Sequence, residues 1–335
     1  MKKIRVGING LGRIGRTVLR MILEHDQIEV AGVNDLLPAE TLAHLIKYDT
    51  VHGVYKSSVG YSGNTLLIGE KIIPVSHADS PSDIPCRDWK VDIVIESSGK
   101  FKKKEQLKKI IEAGAHFVIL SCPSEDSLDK TVIMGVNDSE LTSGHKIISN
   151  ASCTSNCVCA LLHVIQKEIG IESAFLNTVH PATGNQNLTD GGHSDLRRAR
   201  AAYSNIIPTT SSAINAILEV MPELKGKFDG IATRVPVLDG ALAEIVVVLK
   251  RKTDVSELNN IVRNSAEGYM KNIIAYCGDP IVSSDIIGRP ESCIFDPLMT
   301  KVINSNTAQL ISWYDNEYGY SGRIVDLIIK IGSIK

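Results

Sequence analysis

Three closely spaced glycines near the N-terminus constrain the fold of this chain more than any other feature. Gly10, Gly12 and Gly15 follow the apolar stretch "KIRVGI" and open "RIGRTVLRMILEHD", which has helical apolar spacing. Between a strand and a helix, such glycines permit a tight turn and let a pyrophosphate approach the helix N-terminus. Asp35 lies twenty residues beyond Gly15, at the end of the second apolar stretch "IEVAGVND". A carboxylate there accepts hydrogen bonds from a ribose and repels a 2′-phosphate, so the pattern predicts NAD rather than NADP.

The order of apolar and amphipathic stretches predicts an α/β chain with two domains. In the first half, short apolar stretches such as "VDIVIESSG" alternate with helical patterns such as "KKKEQLKKIIEAGA". This alternation is typical of a parallel Rossmann sheet, predicted here as an NAD-binding domain over residues 1–151. Longer strands such as "LAEIVVVLKR" indicate an α+β catalytic domain with a mixed or antiparallel sheet over residues 152–318. Residues 319–335 are predicted to form a C-terminal helix that packs back on the first domain.

Composition and charge argue against several classes of protein. Of the 335 residues, 43% are hydrophobic and 22% are charged, which is ordinary for a globular protein. The formal net charge of −2 predicts no nucleic-acid partner and no membrane partner, and no stretch approaches the roughly 20 apolar residues of a membrane span. The seven cysteines are odd in number and scattered, which argues against a disulfide framework and a structural metal site. We therefore predict a cytoplasmic protein with no metal.

The stretch "SNASCTSNC" places Cys153 and Cys157 one helical turn apart, with a helical pattern beginning directly after Cys153. A cysteine at a helix N-terminus is suited to covalent catalysis, but a capped and buried helix start explains these residues equally well. Cys157, one turn further on, is predicted to be buried and inert. His180 ends an apolar strand in "NTVHPATGNQ", where a histidine serves either as a general base or as a structural hydrogen-bonding group.

Motifs along nearly the whole chain resemble the phosphorylating glyceraldehyde-3-phosphate dehydrogenase family. They are "VGINGLGRIGR", "KYDTVHG", "SNASCTSNC", "TVHPAT", "DLRRARAAYSNIIPTT" and "ISWYDNEYGYS". The resemblance implies a homotetramer that oxidises glyceraldehyde 3-phosphate with NAD and inorganic phosphate. It also implies that Cys153 is the nucleophile, forming a hemithioacetal and then a thioester, and that His180 is the base. We expect a thiolate and an imidazolium there to stabilise each other, which would displace both pKa values as a coupled pair.

The same resemblance assigns the remaining site residues. It implies that Thr183 and Arg234 bind the substrate phosphate, and that Arg198 with Ser152 and Thr154 binds inorganic phosphate. Ser211 and Ser212 occupy the phosphate loop. For the cofactor it implies Arg13 and Ile14 at the pyrophosphate, beside the three glycines and Asp35, and Ser121 and Asn316 near the nicotinamide.

Several positions depart from the family pattern. Ser212 replaces a glycine whose backbone N–H helps to bind phosphate, and Ala78 stands where an arginine is common near the adenine. Gly191 and Gly192 replace a Leu-Pro pair that crowds the space of a 2′-phosphate. We therefore predict an NAD preference carried mainly by Asp35, with measurable use of NADP. The segment "VPVLDGALAEI" also departs from the family strand, where core or subunit contacts usually lie.

Three other functions compete with this interpretation. Erythrose-4-phosphate dehydrogenase, which hydrolyses its acyl-enzyme, shares "HSDLRRARAAYSNIIP", and the changed phosphate loop keeps this alternative open. A semialdehyde dehydrogenase is a more distant alternative, against which "SWYDNE" argues. A binding protein that kept the fold and lost catalysis is disfavoured because both Cys153 and His180 are present.

Overall fold

The computed structural model describes residues 3–334, and these divide into two compact units. The first unit contains the chain up to residue 132 together with residues 137–151 and 321–334. The second unit contains residues 133–136 and 152–320. Within the described residues, no helix has both the length and the apolar character needed to cross a membrane.

The first unit is built mainly on strand–helix alternation. Its helices are α1 (Arg13–Leu23), α2 (Ala39–Lys47), α3 (Cys86–Trp89) and α4 (Lys104–Glu112). Its strands are β1 (Ile4–Asn9), β2 (Ile28–Asn34), β3 (Tyr48–Asp49), β4 (Gly53–Val54), β5 (Val59–Tyr61), β6 (Thr65–Ile68), β7 (Lys71–Ser76), β8 (Ile93–Glu96), β9 (Phe117–Leu120), β10 (Lys130–Thr131) and β11 (Ile147–Ser149).

Nine of these strands form one sheet in the order β10-β11-β9-β8-β1-β2-β7-β6-β5. The strands from β10 to β7 pair in parallel, and β7, β6 and β5 form an antiparallel extension at one edge. Every residue of β8 and β9 is buried, as expected for parallel strands covered on both faces. The predicted parallel Rossmann sheet is confirmed, whereas the sequence analysis did not foresee the antiparallel extension.

Helix α1 shows how the N-terminal sequence produces this layer. Val18, Leu19, Ile22 and Leu23 recur at helical spacing and are buried, so one side of the helix packs on the sheet. Gly10 joins β1 to α1 with a φ of +90°. A Cβ at Gly10 would lie 2.5 Å from the backbone N and Cα of Ser98, so the turn requires glycine.

The second unit contains longer strands. Its helices are α5 (Cys153–Glu168), α6 (Ala213–Val220) and α7 (Val255–Glu267), and it contains the start of α8 (Tyr318–Ile334). Its strands are β12 (Ile171–Pro181), β13 (Ile207–Thr209), β14 (Phe228–Val235), β15 (Ala241–Leu249), β16 (Ile274–Tyr276), β17 (Cys293–Ile303) and β18 (Thr307–Tyr314). The chain between residues 182 and 201 is irregular, and Ala202–Ser204 forms a single 3₁₀ turn.

These seven strands form a mixed sheet in the order β13-β14-β12-β15-β18-β17-β16. The pairs β12–β14 and β16–β17 are parallel, and the other pairs are antiparallel. The predicted mixed sheet is therefore confirmed. Alternation along β12 buries Leu176, Thr178 and His180 and leaves Phe175 exposed on the opposite face.

Candidate active site

Cys153 is the first residue of α5 in the second unit. Ser152 caps this helix, because its Oγ accepts a hydrogen bond from the Ser155 N–H at 3.0 Å. Cys153 is half-buried at the helix N-terminus, where the partial positive charge of free N–H groups favours an anionic sulfur. Cys157 is fully buried one turn further on, as predicted, and its Sγ lies 3.2 Å from Ser312 Oγ.

The end of β12 brings His180 to this sulfur. The His180 Nε2 atom lies 3.4 Å from Cys153 Sγ, and the histidine is 3% exposed. Because β12 and β14 pair in parallel, His180 lies in register with Arg234. The Arg234 guanidinium approaches His180 Nδ1 at 2.6 Å and donates to the Pro181 carbonyl at 2.8 Å. The same Nδ1 lies 2.8 Å from that carbonyl oxygen.

A buried tyrosine supports this arrangement and was not predicted. Tyr314, the last residue of β18, exchanges hydrogen bonds with the hydroxyl groups of Thr154 at 2.8 Å and Thr178 at 2.7 Å. Its ring centroid lies 6.0 Å from that of His180. A buried tyrosine hydroxyl needs a partner, so Tyr314 connects the second residue of α5 to β12. Its position in the quoted motif "SWYDNE" was the only sequence signal for it.

Burial favours the uncharged form of both reactive groups. It raises the pKa of Cys153 to about 11, although the Arg234 charge and the Thr154 N–H and hydroxyl oppose this shift. Burial, with the Arg234 charge as the second cause, lowers the pKa of His180 to about 3. Burial thus favours a neutral thiol beside a neutral imidazole. The expectation of a mutually stabilised thiolate and imidazolium is wrong for this arrangement, because burial disfavours both ions and the Arg234 charge further disfavours an imidazolium.

Four of the predicted phosphate-binding residues, Thr183, Arg198, Ser211 and Ser212, lie in two further parts of the second unit. Arg198 belongs to the irregular segment after β12; its Nε donates to Thr209 Oγ1 at 2.9 Å, and another guanidinium nitrogen donates to the Thr210 carbonyl at 2.9 Å. Ser211 and Ser212 directly precede α6, and the Ser211 hydroxyl accepts from the Ala213 N–H at 3.3 Å. The φ of Ser212 is −67°, so this position does not require glycine. Thr183 is exposed, two residues after the end of β12.

The predicted cofactor residues of the first unit lie around the glycine turn. Arg13 and Ile14 are the first residues of α1, and a Cβ at Gly12 would meet no atom within 4 Å. This open space above the helix N-terminus fits a pyrophosphate. The Asp35 carboxylate accepts hydrogen bonds from the N–H groups of Leu11 at 2.7 Å and Leu37 at 2.9 Å. These two hydrogen bonds therefore hold the Asp35 carboxylate in a fixed position beside the glycine turn.

The two residues expected near the nicotinamide belong to different units. Ser121 follows β9 in the first unit, and its N–H donates to the Glu96 carbonyl at 3.0 Å. Asn316 follows β18 in the second unit and is 7% exposed. Among the described residues, its buried Oδ1 has no hydrogen-bond partner. A buried amide oxygen in this state suits a ligand that donates a hydrogen bond, such as a carboxamide.

Comparison with known proteins finds two matching family models. Residues 4–104 match the NAD-binding domain of glyceraldehyde 3-phosphate dehydrogenase, and residues 152–316 match its C-terminal domain. The chain is 46% identical over 332 residues to glyceraldehyde-3-phosphate dehydrogenase 2 of Streptomyces avermitilis, covering 98% of this chain and 99% of that protein. It is 45% identical to the glyceraldehyde-3-phosphate dehydrogenases of Geobacillus stearothermophilus, over 331 residues, and Mycobacterium tuberculosis, over 336 residues; each match covers 98% of both chains.

Replacing Arg234 tests its charge effect on the cysteine and the histidine. Because the guanidinium lowers the pKa of both Cys153 and His180, Arg234→Met should raise both values. At a fixed pH below the thiol pKa, less thiolate is then present, and alkylation by iodoacetamide should slow several-fold. The measurement is the alkylation rate from pH 7 to 10 without substrate. Arg198→Met is the matched control, since Arg198 bonds to Thr209 and Thr210; equal profiles for both variants would contradict the assignment.

Proposed function

The chain belongs to the glyceraldehyde-3-phosphate dehydrogenase family, and we propose that it converts glyceraldehyde 3-phosphate, inorganic phosphate and NAD to 1,3-bisphosphoglycerate and NADH. The single observation that carries this proposal is the 3.4 Å separation between Cys153 Sγ and His180 Nε2 at the start of α5. A nucleophile within reach of a base is what covalent oxidation of an aldehyde requires.

NAD is the cofactor of this family member, and the first unit suits it. Gly12 leaves space for the pyrophosphate at the N-terminus of α1, and Asp35 would accept bonds from the adenine ribose. Asn316 would orient the nicotinamide amide through its unpartnered Oδ1. When bound, NAD supplies the acceptor for the hydride that leaves the substrate carbon.

Cys153 performs the covalent steps in this proposal. Its sulfur adds to the aldehyde carbon and gives a hemithioacetal, whose oxidation leaves a thioester. Inorganic phosphate then attacks the thioester carbonyl, so the acyl group leaves as an acyl phosphate and the thiolate is restored. The N-terminus of α5 and the Arg234 charge both stabilise the sulfur anion that forms in this last step.

His180 accepts protons in this proposal, which requires a neutral ring with Nε2 unprotonated. The lowered pKa of His180 provides the neutral ring. Once Arg234 has turned from Nδ1 to the substrate phosphate, Nδ1 carries the hydrogen and donates it to the Pro181 carbonyl at 2.8 Å, which leaves Nε2 free toward Cys153. Nε2 then takes the thiol proton as sulfur attacks, returns it to the alkoxide oxygen of the hemithioacetal, and takes it again from the hydroxyl as hydride leaves.

Arginines hold the two phosphates in this proposal. Arg234 would turn from His180 to the substrate phosphate, together with the exposed Thr183. Arg198, fixed by Thr209 and Thr210, would bind the attacking phosphate with Ser152, Thr154, Ser211 and Ser212. The ordinary φ of Ser212 fits this role for its backbone N–H. No observation favours hydrolysis of the acyl-enzyme or erythrose 4-phosphate as the substrate.

Turnover with and without phosphate tests this function. With glyceraldehyde 3-phosphate and NAD, steady NADH formation at 340 nm should require inorganic phosphate, and without it a burst of one equivalent should stop. Cys153→Ser should lose the burst, because a serine hydroxyl at neutral pH is a far weaker nucleophile than a thiolate. His180→Asn should lower kcat by about 10²- to 10⁴-fold. Steady turnover of erythrose 4-phosphate regardless of phosphate would instead identify the hydrolytic enzyme.

Asp35 is proposed to set cofactor preference. Asp35→Ala should lower the ratio of kcat/KM for NAD over NADP by about 10- to 100-fold, because the carboxylate repels a 2′-phosphate. Asp35→Asn is the matched variant: it keeps an acceptor for the Leu11 and Leu37 N–H groups but removes the charge. An unchanged ratio in both variants would refute this role. We also expect measurable use of NADP by the unaltered chain, because the family residues that crowd a 2′-phosphate or lie near the adenine are replaced by Ala78, Gly191 and Gly192.

A homotetramer is proposed from the family resemblance and from one exposed sheet face. Phe175, Ile231 and Val246 lie on that face with 51%, 41% and 42% exposure, and Phe175 pairs in register with Val246. Apolar side chains clustered in this way mark an interaction surface. Sedimentation should give four times the 36.4 kDa chain mass, and Phe175→Glu should give smaller species. Ile72→Glu, at an exposed apolar residue of the first unit, is the control.

A cytoplasmic location remains a prediction from the cysteine pattern.

A further inference from the structure

Four polar side chains form a row across four neighbouring parallel strands of the first unit. Strand register pairs Glu96 of β8 with Asn9 of β1, Asn9 with Asn34 of β2, and Asn34 with Ser76 of β7. Each is the last residue of its strand, so the row lies along the carboxyl edge of the sheet. Glu96 is 1% exposed, and Asn9 and Asn34 are each 3% exposed.

The backbone of Ala78 determines the direction of hydrogen bonding along this row. The Ala78 N–H donates to Asn34 Oδ1 at 2.8 Å, and Asn34 Nδ2 donates to the Ala78 carbonyl at 2.9 Å. A backbone N–H can only donate and a carbonyl can only accept, so the Asn34 amide cannot be reversed. Asn34 Nδ2 therefore also donates to Asn9 Oδ1, at 2.7 Å, and Asn9 Nδ2 donates to Glu96 Oε2. The row thus ends on a carboxyl oxygen that has to accept.

The Glu96 carboxyl group can carry a proton on one oxygen without breaking this row. Its Oε1 accepts from the Ser98 N–H at 2.8 Å and from the Ser98 hydroxyl. A hydroxyl can reverse and accept, whereas the Asn9 amide nitrogen cannot, so a proton is accommodated on Oε1. Burial raises the pKa of Glu96 to about 7, although the hydrogen bonds from Ser98 and Asn9 oppose it. Both protonation states are therefore populated near neutral pH.

Few ionisable groups act on this part of the sheet. Cys122, two residues after β9, feels the Glu96 charge, and burial raises its own pKa to about 11, so it stays a neutral thiol over this range. Lys102 and Glu125 act on Cys122 with opposite signs. The Asp35 carboxylate, just after β2, accepts a hydrogen bond from the Leu11 N–H in the connection between β1 and α1. Glu96 itself is shifted by burial and by uncharged hydrogen-bond donors.

The Glu96 carboxyl group lies directly beside the glycine turn. The Ser97 hydroxyl donates to the Gly10 carbonyl at 2.6 Å and to the Asn9 carbonyl at 3.1 Å. Ser98, which bonds to Glu96, lies so close to Gly10 that no Cβ fits between them. A change in the charge of Glu96 therefore acts on the two chain segments that form the turn.

We propose that Glu96 is a positioning residue for the dinucleotide turn and that proton uptake on its carboxyl group couples NAD affinity to pH. The proposal rests on the proposed function, because it assumes that NAD binds at Gly10–Gly15. The pyrophosphate brings negative charge to the edge of the sheet at which the buried Glu96 carboxylate lies, and like charges repel. NAD therefore binds the protonated form of Glu96 more tightly. By linkage, binding takes up a proton, and affinity falls as pH rises through the range in which Glu96 ionises.

The first test follows Glu96 in the protein without NAD. Carbon-13 NMR of labelled glutamate carboxyl groups should show one titration midpoint near pH 7, absent in Glu96→Gln. Ser98→Ala removes a donor to the charged form and should move that midpoint to higher pH. Midpoints below pH 5 for every glutamate, or a Ser98→Ala shift toward lower pH, would overturn the proposal without involving NAD or activity.

The second test measures NAD binding by calorimetry at pH 6.0 and 8.5. The unaltered protein should bind NAD about threefold to tenfold more weakly at the higher pH, with proton uptake visible as a dependence on buffer ionisation heat. Glu96→Gln should lose both effects, whereas Glu70→Gln, at an exposed turn of the same unit, should retain them. A purely structural role would weaken binding equally at both pH values and would contradict the proposal. Failure of NAD to bind at any pH, with the NMR midpoint present, would refute the proposed cofactor role instead.

Discussion

The approach of Cys153 Sγ to His180 Nε2, at 3.4 Å, is the interaction on which the proposed chemistry depends. The two atoms meet because the N-terminus of α5 lies beside the C-terminal end of β12. Helix α5 starts at Cys153, and β12 ends one residue after His180. Tyr314 holds these two elements together through hydroxyl bonds to Thr154 and Thr178. The pair is therefore positioned by buried contacts and not by a loop, which favours a constant geometry.

Parallel pairing within a largely antiparallel sheet decides the charge beside this pair. Since β12 and β14 run in the same direction, their carboxyl ends meet, and Arg234 lies next to His180. The guanidinium stabilises an anionic sulfur and disfavours a cationic imidazole. The same residue therefore favours both the thiolate form of Cys153 and the neutral, proton-accepting form of His180. Burial opposes ionisation of both groups. The first unit also uses the carboxyl ends of parallel strands, where Glu96, Asn9 and Asn34 bond in a row.

Much of the fold and some of the site could be predicted because the signals are local. The glycine spacing before α1, the mainly apolar and fully buried β8 and β9 and the alternating β12 each reflect the geometry of a single element. Cys153 was recognisable as a helix start because Ser152 is a capping residue directly before it. The ionisation states were not predictable, because they depend on burial and on Arg234, which is 81 residues from Cys153 in sequence. Tyr314 and Glu96 were missed for the same reason: their roles depend on contacts with elements distant in sequence, α5 and β12 for Tyr314 and β1 for Glu96.

The sequence by itself determined the order of elements, the glycine turn with Asp35, and the identity of the thiol, the imidazole and the arginines. Side-chain chemistry and short-range backbone preferences suffice for these, since each depends on neighbours within a few residues. Only the tertiary structure decided which groups meet. Strand pairing brought Arg234 to His180 and joined Asn9 to Glu96, and burial then set which of the titratable groups carry charge. Register and desolvation arise from residues distant in sequence, and no local pattern encodes them.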